Sequence, residues 1–169
     1  AQIKRGELTM PNDDLMADMY LLVDQMCNEV GLDWYELSNW SKTGHECRHN
    51  IAYWKSANWW GLGPGAHSHI DQKRFWNIKH PTAYKQKLFA KESPIADSED
   101  LTDEQLRDES IMLAIRMRSG LSLDLLSSAA QERVMQYQSS GHLNQIDGKL
   151  QLTAQGRMIA DRLVREALG

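Results

Sequence analysis

The chain has 169 residues, of which 41% are hydrophobic and 25% charged, and its formal net charge is −4. These proportions are typical of a folded domain, and the acidic balance argues weakly against a general binder of nucleic acid or membrane surfaces. No apolar run approaches the roughly 20 residues of a membrane-spanning helix, and the first seven residues lack the apolar region of a signal peptide. With only Cys27 and Cys47, no disulfide framework is expected, which favours a cytoplasmic location.

The aromatic residues and histidines are concentrated in one segment. All six tryptophans lie between residues 34 and 76, and five of the six histidines lie between residues 45 and 80. Tryptophan is most often a core residue. A composition so different from its surroundings nevertheless directs the search for site chemistry to residues 34–80.

The first predicted element is a helix over residues 13–30, capped by Asn12 and ended by Gly31. Its apolar side has helical spacing and predicts Cys27 as a buried small hydrophobe. A strand over 32–37 follows, then a loop with one helical turn near 49–54, a strand over 58–66 that ends in a glycine loop, an extended piece at 75–78 and a helix over 81–91. The apolar residues of the first helix are Leu15, Met16, Met19, Leu22, Val23, Met26, Cys27 and Val30.

The pattern changes after a polar segment at 92–101, which is interpreted as a linker. Thr102 and Gln105 form a capping box that predicts a helix ending at Gly120. Shorter helices are expected at 122–129 and 131–139, followed by a hairpin over 143–152 with Asp-Gly at its turn and a last helix from Thr153 to about 168. Three helices, a hairpin and a closing helix are the order of a winged-helix module. The sequence therefore predicts two units, 1–95 and 96–169.

Three ordered blocks carry a family resemblance: YELSNW at 35–40, GHECRHNIAYW at 44–54 and GLGPGAHS at 61–68. They are similar to blocks of the radical-SAM family that contains oxygen-independent coproporphyrinogen III oxidases and HemW-type haem chaperones. The resemblance runs from about residue 8 to the C-terminus. It implies an α/β fold: the terminal strands and helices of a partial radical-SAM (TIM-like) barrel, followed by a winged-helix-like α+β accessory domain.

The resemblance also implies cofactors that this chain does not hold completely. The intact protein would use S-adenosylmethionine and a [4Fe–4S] cluster bound by a C-x-x-x-C-x-x-C motif. Cys27 and Cys47 are twenty positions apart and cannot form that motif. The chain is therefore expected to be a C-terminal fragment, inactive alone, with no catalytic residues of its own, whose partner is the N-terminal half of the same protein.

Four residues match the HNxxYW signature of the HemW-like branch: His49, Asn50, Tyr53 and Trp54. The signature implies a haem- or porphyrin-binding segment. Imidazole is a common axial ligand of haem iron, and aromatic faces can stack on a macrocycle. The alternative is that His49 and Asn50 satisfy loop backbone groups while Trp54 fills the core. Covalent haem attachment is not expected, because C-x-x-C-H is absent.

The glycine loop formally fits the dinucleotide pattern G-x-G-x-x-A, but no helix or suitably spaced acidic residue follows, which excludes a Rossmann site. The resemblance instead implies that Gly61, Gly63, Gly65 and Ala66 border the S-adenosylmethionine pocket. Glycines allow the backbone to approach a ligand closely. A tight turn at the end of a strand is an equal alternative.

Other polar residues give weaker signals. His45, His67 and His69 lack the partners of a zinc site, so no metal site is expected. Lys73 and Arg74 could meet porphyrin propionates or remain solvated. Residues 101–169 hold eight Lys/Arg and nine Asp/Glu, so the accessory domain is not expected to bind DNA.

The leading functional hypothesis is therefore a fragment of a haem chaperone that contributes to the S-adenosylmethionine and haem sites of the intact protein and serves a haem-accepting client. The first alternative is an oxidoreductase, the oxidative decarboxylation of coproporphyrinogen III to protoporphyrinogen IX in haem biosynthesis. The second is an interaction module built on the winged helix.

Overall fold

The computed structural model describes residues 2–9 and 12–169; Ala1, Met10 and Pro11 lie outside this description. The chain is a mixed α/β structure of helices and small antiparallel sheets. Its helices are α1 (Asp13–Glu29), α2 (Arg48–Trp54), α3 (Pro81–Phe89), α4 (Asp103–Ala114), α5 (Ser128–Ser139), α6 (Ala154–Met158) and α7 (Ala160–Leu168). Its strands are β1 (Asp33–Glu36), β2 (Asn39–Ser41), β3 (His67–Ile70), β4 (Lys73–Asn77), β5 (Ile95–Asp100), β6 (Leu121–Ser122), β7 (Leu143–Ile146) and β8 (Lys149–Leu152).

Helix α1 forms where the sequence predicts it, because its ends are capped locally. The Asn12 side chain accepts a hydrogen bond from the Asp14 amide, and Gly31 takes a positive φ of 75° just after the helix. The predicted apolar side, however, faces solvent. Cys27 is half-buried. The other seven residues of that side are exposed: Leu15, Met16, Met19, Leu22, Val23, Met26 and Val30. We call these seven residues the α1 apolar face.

The first half of the chain contains two antiparallel sheets. Strands β1 and β2 form a hairpin, and β3, β4 and β5 form a meander in that order. All strand pairs in residues 2–9 and 12–169 are antiparallel. The predicted strand at 58–66 is wrong. Within that range only Trp59 forms a β-bridge, with His69, and the next strand along the chain is β3.

The predicted linker at 92–101 is also wrong, because residues 95–100 form β5 and pair with β4. All six β5 residues are exposed. Their polar composition therefore reflects an edge strand facing water rather than an unstructured connection. The division of the chain at residue 95 stays a prediction.

The second half of the chain carries most of the hydrophobic core. The Thr102–Gln105 capping box starts α4 as predicted, but the helix stops at Ala114 rather than Gly120. The helix predicted at 122–129 is instead β6 followed by a short 3₁₀ turn at Leu123–Leu125. The Asp147–Gly148 turn is confirmed, with φ values of 49° and 74°.

Helix α7 shows why this core is stable. Ala160, Leu163, Val164 and Ala167 are all buried, at the i, i+3, i+4, i+7 spacing of one helix face. They pack with α4, α5 and the β6–β8–β7 sheet, each fully buried Leu or Val contributing about 1.5–3 kcal/mol. Trp34 and Leu37 from the β1–β2 hairpin also pack against this core. The hairpin therefore rests on the second half of the chain.

Candidate functional site

An aromatic row begins on α2 and ends inside the β3–β4–β5 sheet. The His49 and Tyr53 rings meet edge to face with centroids 4.8 Å apart. Tyr53 meets Trp59 at 5.0 Å, and Trp59 meets His69 at 4.8 Å. We call His49, Tyr53, Trp59 and His69 the aromatic row. Aromatic pairs at such distances contribute about 0.5–1.5 kcal/mol beyond the burial of their surface, so each ring helps to fix the next.

The row runs from the surface into the interior. His49 is exposed and Tyr53 is 41% exposed, whereas His69 is only 2% exposed. The backbones of Trp59 and His69 exchange hydrogen bonds of 2.8 and 3.0 Å, which fix Trp59 beside β3. Neither ring nitrogen of His69 has a hydrogen-bond partner, so packing holds that ring. The most exposed end of the row, and so the end most open to a ligand, is at His49 and Tyr53.

A cavity of about 60 Å³ lies at this outer end. Sites that enclose small molecules usually measure about 300–1,000 Å³, so a macrocycle cannot enter it. A flat macrocycle would instead lie across the surface at His49 and Tyr53, with only its edge or one of its substituents in the cavity. The lining residues are His49, Ala52, Tyr53, Ala57, Asn58 and Trp59.

The structure separates the four HNxxYW residues onto two faces of α2. His49 and Tyr53 are four positions apart and belong to the aromatic row. Asn50 points to β1 instead: its Nδ2 lies 3.2 Å from Tyr35 Oη and 3.4 Å from Glu36 Oε1. Trp54, four positions after Asn50, shares the Asn50 side by helical spacing and is half-buried.

The glycine loop folds back onto its own sheet. A Cβ on Gly61 would lie 2.1 Å from the His67 carbonyl oxygen, so no larger residue fits there. Gly63 and Gly65 have φ values of 106° and 71°, which favour glycine. Nothing lies within 4 Å of the place where a Gly63 Cβ would stand. The loop is therefore packed at Gly61 and open at Gly63.

A buried side chain, Asn77, holds this loop in place. Its Nδ2 donates to the Gly63 carbonyl at 2.9 Å and lies 3.4 Å from the Gly61 carbonyl. The Gly61 amide donates to Ser68 Oγ at 2.9 Å, and the Asn77 amide donates to the Ala66 carbonyl at 3.0 Å. Asn77 and Ser68 are thus the residues that shape the loop. Ser68 ends the third sequence block, whereas no sequence pattern pointed to Asn77.

The other polar residues that the sequence suggested as ligand contacts do not lie at the aromatic row. His67 stacks on Trp76 at 5.6 Å, away from the aromatic row. Arg74 is paired with Glu109 of α4 and lies 3.7 Å from Glu99, so its guanidinium is already occupied. Lys73 is exposed, 3.8 Å from Asp100. Among residues 2–9 and 12–169, no three His, Cys, Asp or Glu side chains cluster as metal ligands would.

A buried ion pair that the sequence did not reveal joins the two halves of the chain. Asp24 on α1 accepts two hydrogen bonds from the Arg157 guanidinium on α6, at 2.7 and 2.5 Å. Trp40 Nε1 donates to the same carboxylate at 2.6 Å. The guanidinium also lies over the Trp34 ring, 4.8 Å from its centroid. This cluster fixes α1 and the hairpin on the second half.

The pKa values of this pair follow from their contact. Hydrogen bonds from Arg157 lower the pKa of Asp24, and they outweigh the opposing effect of burial. Burial disfavours the charged guanidinium, but the hydrogen bonds with Asp24 leave the pKa of Arg157 raised. Both groups are therefore charged near neutral pH.

Comparison with known proteins identifies the family. Residues 101–159 match the model of the HemN C-terminal domain. Over 168 residues the chain is 44% identical to a protein from Mycobacterium tuberculosis called heme chaperone HemW, a match that covers 99% of this chain and 43% of the relative. The chain belongs to the HemW-type radical-SAM family. The family predicted from the three sequence blocks is confirmed.

A second HemW relative and a solved HemN structure are also matched over less than half of their length. Heme chaperone HemW of Bacillus subtilis is 27% identical over 178 residues, which covers 99% of this chain and 46% of the relative. The solved structure of Escherichia coli coproporphyrinogen III oxidase (HemN), described as a radical SAM enzyme, matches with a TM-score of 0.69 and 15% identity, over 92% of this chain and 41% of that chain. This likeness shows a shared fold. The chain spans less than half the length of these HemW and HemN relatives.

Proposed function

We propose that this chain is the C-terminal part of a HemW-type haem chaperone and that His49, Asn50, Tyr53 and Trp54 form its haem- or porphyrin-binding segment. The observation that carries the proposal is the outer end of the aromatic row, where an exposed imidazole stands edge to face against a half-exposed phenol ring. The 44% identical relative is called heme chaperone HemW, and that name supports the same activity.

The chemistry of this surface suits haem as a cargo. Imidazole is a common axial ligand of haem iron, and the His49 ring is accessible. The Tyr53 ring, fixed by Trp59 from behind, offers apolar and aromatic surface beside it. An open surface of this kind fits a chaperone that must release haem to a client protein, because a deep pocket would retain the ligand.

The residues of this chain do not fit a [4Fe–4S] cluster. Such a cluster needs three or four thiolates close together. Cys27 is half-buried on α1, whereas the exposed Cys47 precedes α2. We infer that the cluster of the intact protein is bound elsewhere in its length.

We propose that Gly61, Gly63, Gly65 and Ala66 border the S-adenosylmethionine pocket of the intact protein. The open backbone at Gly63 supports this role, and Asn77 would keep that backbone in a fixed position for the ligand. Gly61 would contribute through the shape of the loop, because its own surroundings are filled.

We propose that the α1 apolar face binds the N-terminal half of the intact protein. Six of its seven apolar residues lie along one side of the 17-residue helix α1, and the seventh, Val30, follows directly as the C-cap. Exposed apolar patches of this kind usually mark interfaces. The HemW relatives have more than half of their length outside the matched region, which provides an occupant for this surface.

The rival function is the oxidation of coproporphyrinogen III. The HNxxYW residues and the names of the HemW relatives favour the chaperone. An anaerobic assay of the full-length protein with coproporphyrinogen III separates the two, because protoporphyrinogen IX appears only with an oxidase.

We also propose a domain organisation for the intact protein. We infer a boundary near residue 95, which the start of the family match at residue 101 supports, and a winged-helix-like second unit that binds no nucleic acid.

The two free cysteines support a cytoplasmic location. No helix in the described part of the chain is long and apolar enough to cross a membrane.

The test of the haem proposal is an absorbance titration of this chain with haem. We expect a saturable shift of the Soret band that is lost in His49→Ala. The control is His80→Ala, which removes an exposed imidazole that makes no capping hydrogen bond on α3. A Soret shift equally strong in His49→Ala would contradict the assignment.

A further inference from the structure

A buried carboxylate lies directly behind the proposed haem segment. Glu36, the last residue of β1, is completely buried. Its carboxylate has no cationic partner among the ion pairs of the described residues. It is surrounded by neutral donors: the Ser38 amide at 3.3 Å, the Ser38 hydroxyl at 3.4 Å and the Asn39 and Asn50 side-chain amides. Burying a carboxylate is unfavourable unless such donors satisfy it. The hydrogen bonds from these neutral groups therefore keep Glu36 in its buried position.

Helix α2 is too short to be stable alone and needs a contact with another element. It has only seven residues, none of them buried, and its N-cap residue Cys47 makes no side-chain capping bond. Isolated helices of this length are unstable in water. The Asn50 side chain provides an attachment, because its amide reaches both Tyr35 Oη and Glu36 Oε1 on β1.

We propose that Glu36 and Asn50 are positioning residues that fix α2 on β1 so that His49 and Tyr53 face outward. Asn50 then acts within the haem segment through its neighbours rather than by touching haem. The consequence for haem affinity rests on the proposed function, whereas the effect on α2 itself does not. The role differs from a capping role, since Asn50 lies inside the helix and its partners are on another element.

Asn50→Asp is the most direct variant, because it keeps the size of the side chain and replaces its donor by a carboxylate facing Glu36. Two like charges in a buried site repel each other. The double variant Glu36→Gln with Asn50→Asp removes the like charges: the introduced glutamine amide can donate to the introduced aspartate carboxylate, and Tyr35 Oη can donate to it as well. Asn39, which donates to the same Glu36 oxygen as Asn50, then has to turn its side-chain oxygen toward the glutamine amide. Asn144→Asp, on the exposed face of β7, is the control for the added charge.

Two readouts separate the attachment of α2 from haem binding. The first is amide hydrogen exchange over residues 48–54, compared with α5, in the absence of haem. We expect exchange in α2 to rise about tenfold in Asn50→Asp, the loss of roughly one hydrogen bond to a charged group, with α5 unchanged and near-normal exchange in the double variant. The second is the haem titration, in which the apparent dissociation constant should rise by a similar factor and recover in the double variant.

The outcomes can be told apart. Unchanged α2 exchange in Asn50→Asp, or a double variant no better than the single one, overturns the positioning role whatever haem does. If α2 exchange rises and recovers as expected but the unmodified chain binds no haem, the positioning role stands and the proposed haem function fails. Equal effects in Asn144→Asp would reduce the result to a general effect of charge and overturn the inference.

Discussion

Asp24 and Arg157 form a bidentate ion pair in the interior of this protein although they are 133 positions apart in the sequence. Asp24 belongs to α1 and Arg157 to α6, so one contact connects the first helix to a helix near the C-terminal end of the chain. The side chain of Arg157 is 2% exposed and that of Asp24 is 11% exposed. Removing one partner of such a pair leaves an uncompensated charge in a site with little water.

We therefore expect Asp24→Asn to destabilise the folded chain by roughly 3–5 kcal/mol, the usual cost of breaking a buried pair. Urea unfolding followed by circular dichroism gives this value. A control is Glu92→Gln, which breaks an exposed pair with Lys87 and should leave the midpoint almost unchanged. If both variants unfold at the same urea concentration, the Asp24–Arg157 pair is not a stabilising connection.

The same pair predicts how stability depends on pH. Arg157 lowers the pKa of Asp24 from its ordinary value of 3.8, so the unfolded chain takes up a proton at this residue at a higher pH than the folded chain does. The contribution of Asp24 is therefore complete above about pH 4 and is lost as the pH falls through the lowered pKa.

The measurement is the difference in urea midpoint between the unmodified chain and Asp24→Asn, followed from neutral pH downward. This difference should stay constant to about pH 4 and then close. A difference that persists to the lowest pH at which the chain folds would contradict the lowered pKa.

Gly61→Ala is expected to disturb the loop that precedes β3. The new Cβ would meet the His67 carbonyl oxygen, which belongs to the backbone and cannot move alone. Overpacking of this kind costs about 1–3 kcal/mol, and the Trp59–His69 bridge should show faster amide exchange. Gly63→Ala is the matched control, because its Cβ would meet nothing within 4 Å and only the positive φ would be strained. Equal exchange at the bridge in both variants would contradict the packing argument.

Met19→Lys and Met26→Lys test the α1 apolar face. Both side chains are more than half exposed, so the isolated chain should unfold at the same urea concentration within about 0.5 kcal/mol. Association with the N-terminal half of the intact protein should fall by at least about tenfold, because a charge replaces an apolar contact. Co-purification of the two separately tagged halves measures this. Asp18→Lys, which adds a lysine beside the face, is the control and should retain binding.

Local features were predicted well because they depend on neighbouring residues. The Asn12 cap and Gly31 fix α1, the Thr102–Gln105 box starts α4, and Asp147–Gly148 forms the hairpin turn. Each is decided by hydrogen bonds or backbone angles within a few positions. The three motif blocks likewise identify the family, because each block is a short run of neighbouring residues.

Other features depended on residues far apart in the chain. The spacing of α1 marked an apolar face, but its buried side is the one that carries Tyr20 and Asp24, because Leu37 and Arg157 provide the partners there. The polar composition of residues 95–100 predicted a linker, whereas β4 supplies a strand with which they pair. The sequence grouped Asn50 with His49 and Tyr53, and only the position of β1 turned Asn50 toward Glu36. Local chemistry determined which elements form, whereas long-range pairing decided which of their faces are buried, since a helix or strand cannot choose its partner alone.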